Sequence, residues 1–128
     1  MTVVALVLAA LAALLHVYIF VLESVLWTTP RARKTFGNSE QAAAATKQLA
    51  YNQGFYNLFL AVLVFVGIVV VVSGGTAVGT TLVIAGTASM LGAALVLFAS
   101  DATKRRAATT QGVFPLLALV ALGIAALV

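Results

Sequence analysis

From Val3 to Trp27 the chain runs without a lysine, arginine or aspartate, and its only imidazole and carboxylate there are His16 and Glu23. A run of that length exceeds the ~20 apolar residues that cross about 30 Å of hydrocarbon as a helix. Further apolar runs follow at about 55–73, 77–99 and 111–128, each close to or above that length. Hydrophobic residues make up 63% of the chain and charged ones 8%, against roughly 25% charged in a soluble domain. A water-soluble fold of 128 residues could not hide so much apolar surface. The expectation is all-α: one polytopic membrane domain over residues 1–128, with four transmembrane helices in a bundle.

The first run has no basic n-region and is too long for a signal-peptide core, so it reads as a retained span. The absence of cysteine excludes disulfides, thiolate metal sites and thiol redox chemistry. The net charge of +4 would suit nucleic acid, but the basic residues lie beside membrane segments, where they set topology and meet anionic lipid. No nucleic-acid partner, metal or cofactor is expected.

The seven basic residues fall in two connections. Arg31, Arg33, Lys34 and Lys47 lie in the first, about 28–47; Lys104, Arg105 and Arg106 lie in the third, about 100–110. The Ser73–Thr76 turn has none. The positive-inside rule then predicts both basic loops in the cytoplasm, and both termini outside a bacterial inner membrane.

Pro30 reads as the stop of the first helix, and Phe36-Gly37-Asn38-Ser39 as a turn. Asn38 or Ser39 can cap a helix opening on Glu40. The alanine-rich stretch after it has no breaker, so the second helix should start near residue 40 and enter the membrane at about 48, ending near 73. The third helix repeats small residues at Ala85, Ser89 and Ala93, with Gly86 and Gly92 adjacent, a pattern that lets helices approach closely and self-associate. The fourth is expected to begin at Gln111-Gly112, with Pro115 in its first turn. No internal repeat is evident.

At about 100° per residue, His16 and Glu23 lie about 20° apart on one helical face, with Trp27 within about 40° of both. The stripe runs back through Ala5, Ala9 and Ala12. Gln53 and Asn57 share a face of the second helix beside Tyr56. Together with Asp101 and Gln111 these side chains occupy one half of the spans, which suggests a polar vestibule open at the basic end.

Each has a plainer reading. Glu23 could pair with a loop-one arginine at the interface. His16 could hydrogen-bond a neighbouring helix, relay a proton or, with help from elsewhere, bind metal. Gln53 and Asn57 could be interhelical glue, and Trp27 a belt residue. Asp101 could pair with Arg105 or the loop-one bases. The basic clusters read chiefly as topology signals, though an anionic-lipid or acidic-substrate site could use them.

His16-x-Tyr18-Ile19-Phe20-x-Leu22-Glu23, Trp27-Thr28-Thr29-Pro30-Arg31, Phe36, Asn52-Gln53-Gly54-x-Tyr56-Asn57 and Gln111-Gly112-x-x-Pro115 resemble an uncharacterised family of small bacterial four-helix membrane proteins. The resemblance covers the whole chain; it implies the topology and leaves function open.

Three functions compete. The first is binding or transport of a small or amphipathic molecule at His16, Glu23, Gln53, Tyr56, Asn57, Asp101 and Gln111. In size and in its helix-one glutamate the chain is similar to small multidrug exporters, but its one-sided charge argues against dual topology. The second is a membrane enzyme using Glu23 and His16 as acid and base. The third is an accessory subunit held together by the polar layer. Sites of so short a chain are commonly completed across a subunit interface, so a homo-oligomer is expected.

Overall fold

The computed structural model describes residues 3–127. Helix α1 covers Val3–Phe20 and continues into a single π turn, Val21–Val25. A short helix α2 spans Pro30–Phe36, and α3 runs unbroken over Glu40–Val72. Helix α4 covers Thr76–Ser100, a 3-10 turn covers Ala102–Lys104, and α5 covers Arg105–Leu127. Helices α1, α3, α4 and α5 are long and apolar enough to cross a membrane.

The four spans pack as a square. Helix α1 lies against α3 and α5, α4 lies against the same two, and both diagonals are nearly contact-free. Since consecutive spans alternate in direction, the α1–α3 and α4–α5 connections share one end of the bundle. That end holds all seven basic residues. The other carries the tight α3–α4 turn.

Small residues make the core. Ala5, Ala9, Ala12 and Ala13 of α1 meet Ala61 and Val64 of α3, Val83 and Met90 of α4, and Ala118 and Leu122 of α5. Helices α3 and α4 touch backbone to backbone: a β-carbon on Gly67 would lie 2.9 Å from the Gly79 carbonyl oxygen, and one on Gly79 2.6 Å from that of Gly67. The outer faces stay apolar, with Phe59, Val62, Val66 and Val69 of α3 and Leu95 and Val96 of α4 exposed. Such a belt cannot face water and marks a multi-pass membrane protein.

Helix α3 begins where the sequence put it. Ser39 accepts a hydrogen bond from the Ala42 amide at 3.1 Å, and Gly37 takes the left-handed φ of 68° that ends α2. Its 33 residues span about 50 Å, more than the hydrocarbon needs.

Three local expectations are corrected. Pro30 does not merely stop a helix: it occupies the first turn of α2, with the Thr29 hydroxyl capping the Ala32 amide at 3.4 Å. Proline's missing N–H costs nothing there. Helix α5 starts at Arg105 rather than Gln111, because Arg105 to Gln111 has no breaker and good helix formers. Pro115 consequently sits inside the helix, fully buried, and leaves the Gln111 carbonyl without its usual i+4 amide. On α4 the buried face is Gly79, Val83, Gly86, Thr87, Met90 and Ala94. Of the small residues singled out, only Gly86 packs inside; Ala85, Ser89, Gly92 and Ala93 face outward.

Candidate functional site

The polar residues of the spans divide between two sides of α1. The π turn is the reason. Its Leu26 amide reaches the Val21 carbonyl, five residues back, at 3.0 Å. Such a turn advances less than 100° per residue, so Glu23 falls out of phase with His16. The buried stripe continues instead through Ile19 and Leu22.

His16 is 2% exposed, and its Nδ1 lies 2.8 Å from the Ala12 carbonyl of its own helix. A carbonyl can only accept, so Nδ1 carries the proton. Glu23 turns toward α3, where the Asn57 Nδ2 donates to its Oε2 at 2.8 Å and to the Gln53 carbonyl at 3.2 Å. No hydrogen bond joins His16 to Glu23 among the described residues. From the next residue, the Ser24 hydroxyl donates to the Tyr51 carbonyl of α3 at 2.8 Å. Gly54 makes that approach possible: a β-carbon there would collide with the Ser24 hydroxyl and come within 3.1 Å of the Phe20 carbonyl.

Of the seven candidate residues, Glu23 and Asn57 are thus joined, and Gln53 enters through its backbone alone. The Gln53 side chain and Tyr56 are exposed. Tyr56 lines a shallow outer groove of about 360 Å³ with Tyr51, Asn52, Phe55 and Phe59. Asp101 serves neither Arg105 nor loop one. Its Oδ1 accepts from the Thr103 amide at 2.9 Å and from the Thr103 hydroxyl at 2.6 Å. These two bonds, chiefly, hold its carboxyl below the usual Asp range.

Gln111 lies on a concavity of about 580 Å³ between α1, α2 and α5 at the basic end. One wall is Leu15, Tyr18, Ile19 and Leu22 of α1; the facing wall is Thr103, Lys104, Arg106, Ala107, Thr110 and Gln111. Lys34, Thr35, Phe36 and Gly37 close it from α2. Both walls are helical stripes at spacings of three and four. Their volume falls within the ~300–1,000 Å³ typical of small-molecule sites.

Two latches hold α2 over this space. The Lys104 ammonium donates to the Phe36 carbonyl at the end of α2. The Trp27 ring lies 5.1 Å from that of Phe36, and its indole N–H donates to the Thr46 hydroxyl at 3.2 Å. Trp27 therefore ties the first connection to the N-terminal turns of α3. Arg31 reaches back to α1, with its Nη2 donating to the Tyr18 hydroxyl at 3.2 Å and its guanidinium carbon 5.7 Å from the ring centroid.

Sequence reasoning treated Lys34, Lys104 and Arg106 chiefly as topology signals and passed over the α1 wall. The signal was present in the run Thr103, Arg106/Ala107, Thr110/Gln111, which is one helical stripe once α5 starts at Arg105.

The chain belongs to an uncharacterised family, the proteins of unknown function DUF1304, whose family model matches residues 10–123. No curated protein and no solved structure matches it.

Proposed function

We propose that this membrane protein binds a small amphipathic molecule in the cavity between α1, α2 and α5. One observation carries the reading: a 580 Å³ space whose α1 wall is mainly apolar and whose rim is polar and basic, at the membrane-proximal end of a transmembrane bundle. A ligand with an apolar and a polar end would satisfy both walls at once. The Glu23–Asn57 pair lies on the α3 side of α1 and serves as interhelical glue in this reading. By the positive-inside rule we take the basic end as cytoplasmic, so the site opens to the cytoplasm.

Native mass spectrometry of gently extracted protein tests this. Wild type should carry a defined extra mass, Glu23→Gln should keep it, and Thr110→Trp, which fills the cavity, should lose it. Loss in Glu23→Gln with retention in Thr110→Trp would move the site to the α1–α3 seam. Ligand-free spectra for all three would favour an accessory subunit.

A further inference from the structure

We infer that the occupant of this cavity is an anion: an amphiphile with a phosphate- or carboxylate-type head and an apolar tail. The inference rests on the binding reading above and adds the ligand's charge and orientation. Lys34 of α2, Lys104 of the 3-10 turn and Arg106 of α5 converge on the rim. The chain has three acidic side chains, and none lines the cavity. Glu23 is held by Asn57 on the far side of α1, Glu40 pairs with Arg33 at 3.3 Å, and Asp101 is bound to Thr103. Asp101 lies close enough to feel the charge of Lys104, but it leaves Lys34 and Arg106 uncompensated.

Three cations beside an apolar wall, with no carboxylate among them, repel a cationic ligand and attract an anionic one. Basic pockets between transmembrane helices take anionic head groups by the same physics. Arg106 adds a planar donor fork suited to phosphate or carboxylate. The hydroxyls of Thr35, Thr103 and Thr110 donate to Arg31, Asp101 and Arg106 of the chain itself, which leaves the cations to meet the head group. From Leu22 to Leu15 the α1 wall descends about 10 Å into the bundle, a slot for the tail.

Trp27 provides the readout. It is the chain's single tryptophan, and it lies against Phe36, which lines the cavity. Full-length protein in phosphatidylcholine nanodiscs would be titrated with decyl phosphate, decyltrimethylammonium and decyl maltoside. Decyl phosphate should give a saturable fluorescence change that weakens with salt, and decyltrimethylammonium should give none. The exposed substitutions Lys34→Gln and Arg106→Gln, combined, should weaken decyl phosphate by roughly tenfold or more, with circular dichroism melting unchanged.

Phosphatidylglycerol in the nanodisc identifies the source. Competition with decyl phosphate points to a bilayer lipid, and its absence to a free solute; both fit an anion site. Equal binding of all three probes, abolished by Thr110→Trp, would overturn the anion inference and leave the amphiphile site standing. Binding of none, with no effect of Thr110→Trp, would overturn both.

Discussion

The Asn57 side-chain amide donates to the Glu23 carboxylate at 2.8 Å, and this bond joins the π turn of the first span to the middle of α3. It is the side-chain to side-chain hydrogen bond between spans that α1 and α3 share. Elsewhere in the spans hydroxyls bond their own helix: Thr87 to the Val83 carbonyl, Ser89 to that of Ala85. The polar chemistry that crosses between α1 and α3 is concentrated beside the π turn, where Ser24 and Gly54 also bring the backbones together.

Asn57→Leu should therefore cost more than Glu23→Gln. A glutamine at position 23 still offers an oxygen to Asn57, whereas leucine at 57 leaves a half-buried carboxylate without its donor. Interhelical bonds in membranes are worth about 0.6–1.7 kcal/mol, and an unsatisfied acceptor adds to that. A loss of roughly 1–2 kcal/mol for Asn57→Leu, and under half of that for Glu23→Gln, is expected from unfolding titrations in mixed micelles. Equal losses would mean that side-chain volume, not the hydrogen bond, holds the seam.

Gly79→Val should be the more damaging kind of change, since its first side-chain carbon would already meet the Gly67 carbonyl at 2.6 Å. Overpacking of this sort costs about 1–3 kcal/mol. Gly92→Ala is the matched control: nothing lies within 4 Å of an added β-carbon there, and alanine improves helix propensity by up to ~1 kcal/mol. Thermal unfolding in detergent should separate the two variants in opposite directions.

These two sites show what the sequence could and could not convey. Span number, the Ser39 cap and the gathering of bases at one end depend on length, composition and nearest neighbours, so they were readable. Which face of α4 packs inward was not: Ala85/Ser89/Ala93 and Gly79/Gly86 are equally small, and only the partner helix distinguishes them. The π turn escaped because Val21 to Val25 has no breaker to announce it, and it moved Glu23 off the His16 stripe. The cavity escaped for a related reason. With Pro30 read as a stop, α2 and its Lys34–Phe36 edge had no helix to belong to.

The Asp101 cap gives a pH dependence whose sign is fixed. Its carboxyl is held below the usual Asp range by the Thr103 bonds, so the folded form binds its proton less readily than the unfolded one. The stabilisation is complete above the ordinary Asp value and fades as pH falls through the lowered folded value. The protection factor of the Thr103 amide, its exchange rate normalised to the intrinsic rate at each labelling pH, should fall locally as the sample is taken below the ordinary Asp range. Asp101→Asn should keep the cap at neutral pH and remove that acid-dependent change.

A reporter at the C-terminus tests the orientation assumed for the site. The α1–α3 and α4–α5 connections lie at the basic end, so a C-terminal fusion sits at the opposite face. By the positive-inside rule alkaline phosphatase fused there should be active and a cytoplasmic fluorescent reporter dark. The reverse result would put the cavity mouth outside the cell and exclude a cytoplasmic ligand.

Lys104→Met isolates the latch on α2. The ammonium donates to the Phe36 carbonyl, at the negative end of a seven-residue helix too short to persist without tertiary contacts. A charged donor to a backbone carbonyl is worth up to ~1.5–3 kcal/mol when shielded, and about 1 kcal/mol at a part-exposed site such as this. Local opening of α2 should rise accordingly, by about fivefold in amide exchange across Ala32–Phe36. The long spans should exchange as before. Trp27 should report the same event, since freeing Phe36 removes the ring it stacks on. If exchange across α2 is unchanged while decyl phosphate binding falls, Lys104 acts on the ligand directly and α2 is held by the aromatic contact alone.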